Sequence, residues 1–160
     1  MKPDPWGNYD LHCQWMEQAL TLAKIAGDAK DVPVGAIIID GEGHLIAQAH
    51  NCKEQNHDPT AHAEIVAIRA ASQILQSWHL EECTLYVTLE PCIMCAGAII
   101  QSRLGLLVYG VDDPKSGTIR TVLNLPDSAA SNHRLSVLSG ILEEKCRHHL
   151  QDWFRQKRVK

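Results

Sequence analysis

The order of apolar and amphipathic segments in this 160-residue chain predicts an α/β fold, a three-layer α/β/α sandwich around a mixed five-stranded sheet. Short apolar runs of strand length alternate with segments in which apolar residues recur at helical spacing. The first two runs flank the turn-forming sequence Asp-Gly-Glu-Gly, which indicates an antiparallel hairpin. Strands joined through helices are expected to run parallel. The length fits a single domain spanning residues 1–160.

The first predicted element is a helix with Asp10 as its N-cap and Gly27 as its stop. Its apolar stripe is expected to be Leu11, Trp15, Ala19, Leu22 and Ala26. The segment 34–39 is almost wholly apolar and β-branched, which is typical of a buried strand. The segment 44–50 is its predicted hairpin partner.

The rest of the chain alternates helices and strands. Thr60 is the expected cap of the second helix, and Pro91 fits the first turn of the third. Residues 118–132 are ambiguous, and a short helix around Thr121 is one interpretation. The predicted elements, in chain order, are a helix at 61–75, a strand at 84–89, a helix from 91 to 101, strands at 106–111 and 135–138, and a helix at 140–158.

Composition excludes several classes of protein. The chain has no apolar run approaching the ~18 residues of a membrane span and no apolar segment after its first lysine, so we expect a cytoplasmic protein without a membrane. In that compartment six cysteines are thiols, metal ligands or packing residues. The net charge is −4, but from Arg147 to Lys160 five cations face one acid. This cluster indicates either a solubilising helix end or a phosphate-contacting patch.

Cys92 and Cys95 form a C-x-x-C pair at the expected start of a helix. Residues three apart lie on one helix face, and the positive end of the helix dipole favours the thiolates that bind metals. Two buried cysteines or a redox-active pair would give the same spacing, so the pair alone leaves three interpretations open.

His62 and Glu64 make a metal site the favoured interpretation. Together with the two cysteines, His62 gives zinc three ligands and leaves a fourth position for water, which is the catalytic arrangement. A carboxylate at Glu64 would then shuttle protons. The combined pattern H-x-E…P-C-x-x-C is the known signature of zinc deaminases.

Further motifs surround this signature. They are Val32-Pro33-Val34-Gly35-Ala36, Asn51, the run from His57 to Glu64, the run from Leu85 to Cys92, Met94-Cys95-Ala96-Gly97-Ala98, Ser102-Arg103, Asp113, Lys115, Gly117 and Asn132-His133-Arg134. In these motifs, over roughly residues 15–158, the chain resembles the bacterial tRNA-specific adenosine deaminases, which convert the wobble adenosine of an anticodon loop to inosine.

The resemblance implies a cytidine deaminase-like fold, one zinc ion per subunit and a homodimer in which the second subunit helps to form the RNA surface. For the substrate pocket it implies that Asn51 bonds the nucleoside, that the backbone N–H of Ala63 contacts the base, and that Val34 and Leu89 flank the ring. The residues that it implies for contact with the tRNA anticodon loop are Asp113, Lys115, His133, Phe154 and Arg155.

Other interpretations stay open at this point. A deaminase of a free nucleobase, nucleoside or nucleotide would use the same zinc chemistry. A non-catalytic zinc subunit would be expected to lack Glu64, and a redox protein leaves His62 without a role. Asn51 could simply close a turn, and Phe154 could be a packing residue. The remaining cysteines, which we expect to be structural thiols, are Cys13, Cys52, Cys83 and Cys146.

Overall fold

The computed structural model describes residues 7–159, so Lys160 of the basic cluster lies outside the described residues. In this range no helix is both long and apolar enough to cross a membrane. The elements are α1 (Tyr9–Asp28), β1 (Gly35–Ile39), β2 (Leu45–His50), α2 (Ala63–Leu75), β3 (Thr84–Leu89), α3 (Ile93–Gln101), β4 (Leu106–Val111), β5 (Ser136–Ser139) and α4 (Glu143–Arg158).

The sheet has the strand order β2-β1-β3-β4-β5 and is mixed, as predicted. β1 pairs antiparallel with β2 on one side and with β3 on the other. β3, β4 and β5 pair in parallel. The antiparallel hairpin therefore forms one half of the sheet and the parallel strands form the other.

The two faces of the sheet carry separate apolar clusters, which gives the three predicted layers. Alternate residues of β1 divide between them, because Ile38 packs with α2 and α3 while Ile37 packs with α1 and α4. A strand with both faces covered is apolar throughout, and all five residues of β1 are buried.

Several expected helix ends are wrong. Asn8, not Asp10, caps α1, since its side chain accepts from the backbone N–H groups of Asp10 and Leu11. The helix continues through Gly27 to Asp28. Gly27 lies against the ring of Trp153, which donates to its carbonyl at 3.0 Å.

The later caps also differ from expectation. The hydroxyl of Thr60 bonds the Asp58 carboxylate, and His62 is the N-cap of α2. Pro91 lies before the N-cap of α3, which is Cys92. The last helix begins at Glu143 rather than near residue 140, because Leu142 just before it has a φ of 54°, in the left-handed region.

The region around Thr121 forms turns instead of a helix. The N–H groups of Ile119, Arg120 and Thr121 donate to the carboxylate of Glu90 and are thus not available to carbonyls of a local helix.

At one edge of the sheet, the start of β1 lies close to the carboxyl ends of β2, β3 and β4. β1 runs antiparallel to β3, so the start of β1 lies beside the end of β3, as the pairing of Ala36 with Val87 shows. The carboxyl ends of β2 and β4 lie at the same edge. In open α/β sheets, ligands bind outside the carboxyl ends of the parallel strands.

Gly35 allows α1 to lie directly on β1, and the substitution Gly35→Ala tests this packing. An added Cβ would lie 1.9 Å from the Ala19 carbonyl oxygen and 2.7 Å from the Ala23 nitrogen. We expect a loss of about 3 kcal/mol or more in the free energy of unfolding, because backbone atoms of the helix must move. Gly97→Ala in α3 is the matched control, since its added Cβ has no heavy atom within 4 Å apart from its chain neighbours and the backbone of its own helix. Equal denaturation midpoints for the two variants would contradict the packing.

Candidate active site

The N-termini of α2 and α3 meet on one face of the sheet. Both helices contribute alanines to the same apolar cluster, including Ala67 and Ala96, and these small side chains let the helices lie close together. His62 is the N-cap of α2, Cys92 is the N-cap of α3, and Cys95 lies in the first turn of α3. The fold thus brings together three residues that are up to 33 positions apart.

The three side chains form a compact group of ligand atoms. The Nδ1 atom of His62 lies 3.6 Å from Sγ of Cys92 and 3.5 Å from Sγ of Cys95. All three ligand atoms lie within 4.8 Å of one another. Tetrahedral zinc with ordinary Zn–N and Zn–S bond lengths requires nitrogen–sulfur separations of about 3.6 Å. The group can therefore hold a metal ion of this kind with little movement.

The two cysteines of this group differ in acidity. The thiol of Cys95 donates to Cys92, which lowers the pKa of Cys92 to about 4 with further help from His62. The same hydrogen bond, together with burial, raises the pKa of Cys95. A thiolate is therefore already favoured at Cys92, at the positive end of α3.

Glu64 lies in the first turn of α2 beside this group and is 4% exposed. Burial raises the pKa of its carboxyl, while a hydrogen bond with Cys95 acts in the opposite direction. A buried carboxyl next to three ligand atoms can accept or donate a proton at the position that they leave open.

The residues predicted for the substrate pocket lie at the same edge. Val34 directly precedes β1, and Asn51 directly follows β2. The Asn51 side chain bridges two backbone groups, since its amide donates to the Val32 carbonyl and its oxygen accepts from Lys53 N–H. This bridge agrees with the open interpretation that Asn51 closes a turn, yet a carboxamide nitrogen has a second N–H to offer a ligand.

The other two groups predicted for the substrate pocket are the backbone N–H of Ala63 and the side chain of Leu89. Ala63 is the first residue of α2, where N–H groups have no preceding turn to bond, and the residue is fully buried. Leu89 is the last residue of β3 and is partly buried against both apolar clusters.

A fully buried carboxylate, which the sequence analysis missed, holds the loop that follows Asn51. Asp31 accepts from the backbone N–H groups of Glu54 at 2.7 Å and Gln55 at 3.2 Å. An acid directly before the apolar run Val32-Pro33-Val34 was the signal available in the sequence.

A groove of about 830 Å³ extends from Leu89 across the loop after β4 to the outer face of α4. Cations outnumber acids along it, and Phe154 lies in it with 41% of its surface exposed. Its charged lining residues are Asp112, Asp113, Lys115, Arg147, Arg155 and Arg158. The predicted contacts Asp113, Lys115, Phe154 and Arg155 are therefore brought together. The ring of Phe154 also packs edge-on against Trp153, so its interpretation as a packing residue stays open.

His133 is not brought into this groove. Its ring bonds the carbonyl of Leu104 at 2.6 Å, just before the start of β4, whereas Asp113 follows the end of the same strand. Six residues of extended strand separate these two ends by about 20 Å. A role of His133 in RNA contact stays a prediction.

The four other cysteines do not belong to the metal-ligand group. Burial raises the pKa of Cys52, and it raises that of Cys83 to about 11 and that of Cys146 to about 12. Thiols of this kind stay protonated at neutral pH and are poor nucleophiles. Cys52 accepts from the Asn56 amide and donates to the Ala61 carbonyl.

Comparisons with known proteins agree with this arrangement. The family model of MafB19-like deaminases matches residues 11–158. A tRNA-specific adenosine deaminase of Bacillus subtilis is 44% identical over 146 residues, which are 91% of this chain and 90% of that protein.

Two solved structures are similar to the fold. One comes from a study of A-to-I editing by tRNA:A34 deaminases at the wobble position of transfer RNA, and it superimposes with a TM-score of 0.82. The two sequences are 39% identical, and the alignment covers 85% of this chain and 98% of the solved one. A guanine deaminase from Bacillus subtilis is also 39% identical, but the alignment covers only 62% of this chain and 63% of the guanine deaminase, with a TM-score of 0.59.

The substitution Asp31→Asn tests whether this carboxylate holds the loop after Asn51. An amide keeps one acceptor where the carboxylate has two, so one of the two loop N–H groups loses its partner. We expect a loss of about 1–3 kcal/mol in the free energy of unfolding and faster amide exchange at residues 54 and 55. Asp28→Asn is the control, because Asp28 is exposed and pairs with Lys24 at the surface, where a pair contributes about 1 kcal/mol at most. Equal effects of the two substitutions would contradict the proposed support.

Proposed function

The chain belongs to the family of tRNA-specific adenosine deaminases, and we propose that it converts the wobble adenosine of a tRNA anticodon loop to inosine by zinc-dependent hydrolysis. The observation that carries this proposal is the group of His62, Cys92 and Cys95, with nitrogen–sulfur distances of 3.5 and 3.6 Å, beside the buried Glu64.

The donor set fits one zinc ion per chain. An imidazole and two thiol sulfurs are ligands that zinc prefers, and three protein ligands leave one position open. When bound, zinc lowers the pKa of water at that position to about 7 and so supplies a nucleophile at neutral pH.

Glu64 is proposed to move the protons of the reaction. It takes a proton from the attacking water as the water oxygen bonds to C6 of adenine, and it delivers that proton to the ring nitrogen N1. It then transfers the second proton to the amino group at C6, the C–N bond breaks, and ammonia leaves. The sum is adenosine plus water giving inosine plus ammonia.

The edge residues are proposed to hold the base over Glu64. The second N–H of Asn51 and the backbone N–H of Ala63 would bond the nucleoside, and Val34 and Leu89 would flank the ring. The adenine must leave its stack to enter, which costs less in a single-stranded loop than in a duplex.

The groove between α4 and the loop after β4 is proposed to bind the anticodon loop. Lys115 and Arg155 would meet phosphates, Asp113 would shape the turn between them, and Phe154 would offer a ring for base stacking. The net charge of the chain is negative, so this local positive surface would carry the affinity, which would fall steeply with salt.

A homodimer in the cytoplasm is proposed as the working form. A hydrogen bond between Thr118 N–H and the Pro91 carbonyl joins two segments of the chain. Large apolar side chains are exposed in both segments. They are Ile93, Val122 and Leu123, each at least half exposed. Apolar surface of this kind supports a second copy at the mouth of the site.

Deamination of a free purine is the second candidate, favoured by the similarity to the guanine deaminase of Bacillus subtilis. The cationic groove argues against a free base as the substrate, because a free base carries no phosphate for these side chains to bind.

We expect His62→Ala to lose the zinc that the wild-type chain binds at one ion per subunit, since two thiolates alone make an incomplete site. Zinc content measured by atomic emission checks this. His44→Ala is the matched control, because His44 is exposed and its ligand atom lies close to those of Asp40 and Glu42 in a second candidate group. Loss of zinc in His44→Ala with full zinc in His62→Ala would show that the metal binds at the hairpin turn instead.

Glu64→Gln is expected to keep one zinc ion while deamination of an anticodon-loop hairpin falls by a factor of about 100 or more, because the amide cannot carry the protons. Inosine is measured by mass spectrometry. Glu42→Gln makes the same change in an exposed side chain and should leave the rate unchanged. A Glu64→Gln variant with near wild-type turnover would show that another group shuttles protons.

A further inference from the structure

Glu90 is a buried carboxylate to which the reaction assigns no role. It lies between the last residue of β3 and Pro91-Cys92, so it is part of the segment that delivers a metal ligand. Only 2% of its surface is exposed. A buried charge is costly unless it is well hydrogen-bonded.

Five donors meet this carboxylate, and all come from the loop after β4. Oε1 accepts from the N–H of Asp113 at 3.0 Å and from the hydroxyl of Thr121. Oε2 accepts from the N–H groups of Ile119, Arg120 and Thr121 at 2.9–3.1 Å. The carboxylate therefore holds both ends of the segment 113–121, which contains Lys115.

The loop also packs directly on the Glu90 side chain. A Cβ added at Gly117 would lie 2.3 Å from Oε1 and 2.4 Å from Cδ of Glu90. The next residue, Thr118, bonds the Pro91 carbonyl through both its N–H, at 3.0 Å, and its hydroxyl, at 3.3 Å. The loop is thus attached to the residues on both sides of the Glu90–Pro91 bond.

Asp113 transmits this attachment to the groove. Its backbone N–H donates to Glu90, while its own carboxylate accepts from the N–H groups of Lys115 and Ser116. Asp112, beside it, is bonded by the guanidinium of Arg120 and the hydroxyl of Tyr109. The turn that presents Lys115 therefore depends on Glu90 through one intermediate residue.

We propose that Glu90 is a positioning residue for RNA binding, which fixes the loop 112–121 against the metal-binding segment and so sets the place of Asp113 and Lys115 relative to the reacting base. The inference rests on the proposed function, because it assigns RNA contact to this loop. Glu90 is not among the residues proposed to contact the base or to hold the metal, so its effect is exerted on where the anticodon loop lies.

Glu90→Gln tests this role in the zinc-loaded, full-length protein acting on an anticodon-loop hairpin. The amide has one acceptor oxygen and an NH2 group, so the N–H of Asp113 or those of the residues 119–121 face a donor. We expect KM to rise about tenfold, as for the loss of one hydrogen bond to a charged group, with kcat within about twofold and zinc content unchanged. Amide exchange should accelerate within residues 112–121.

A second variant approaches the same contact from the loop. Gly117→Ala leaves the carboxylate intact but pushes the loop away from it, and we expect the same rise in KM with kcat preserved. Glu81→Gln is the matched control, because Glu81 is exposed and lies just before the start of β3, whereas Glu90 follows its end. It should change neither constant.

The outcomes separate the role in positioning from simple structural support. If Glu90→Gln lowers kcat in proportion to the loss of folded, zinc-loaded protein and leaves KM unchanged, Glu90 is only structural and the inference is wrong. If the wild-type protein deaminates a free base and not the hairpin, the proposed function is wrong and the inference fails with it. A KM effect in both variants, with wild-type turnover of the hairpin, supports it.

Discussion

The side-by-side packing of α2 and α3 on one face of the sheet is the constraint on which the rest of the site depends. Each helix begins with a side chain that points at the same position, and the positive ends of both helix dipoles meet there. That field favours the thiolate of Cys92 and offsets part of the cost of burying the carboxylate of Glu64. A histidine and two cysteines from separate helices thereby form one compact group of ligand atoms.

Buried carboxylates then attach the loops to this rigid edge. Asp31 holds the loop after β2, and Glu90 holds the loop after β4. In both cases backbone N–H groups that have no helix or strand to bond find a charged acceptor, and the acceptor finds enough donors to offset its burial. Irregular loops with fixed positions result, one bordering the pocket and the other the groove.

The sequence predicted the central strands well because β1, β3 and β4 are short apolar runs that are buried along nearly their whole length. The candidate metal ligands His62, Cys92 and Cys95 were visible in the sequence because spacing at helix starts is a local property, and the fold brings the three together. The predicted stripe of α1 was right only in part. Ala19 and Ala26 are fully buried, and Trp15 and Leu22 pack partly buried against the core. Met16 and Ala23 are also buried but were not predicted, while Leu11 is 40% exposed. Apolar residues occur on neighbouring positions of that helix, so period alone cannot choose its buried face.

The turns around Thr121 could not be predicted locally, because their N–H groups bond a carboxylate about 30 residues earlier. The groove is likewise a product of tertiary structure, since its cations come from α4 and from the loop after β4. Motif resemblance identified Asp113, Lys115 and Arg155, and the fold explains why these three lie together. Glu90 was visible only as an acid in the run from Leu85 to Cys92.

The central claim is that the metal-ligand group and the cationic groove serve one macromolecular substrate. The most direct measurement offers the wild-type protein a mixture of an anticodon-loop hairpin with adenosine at the wobble position, the same hairpin with cytidine there, free adenosine and free guanine. All products are quantified together by mass spectrometry. The account predicts inosine in the adenosine hairpin and no other product. Conversion of free guanine with an untouched hairpin would keep the zinc chemistry and contradict the substrate.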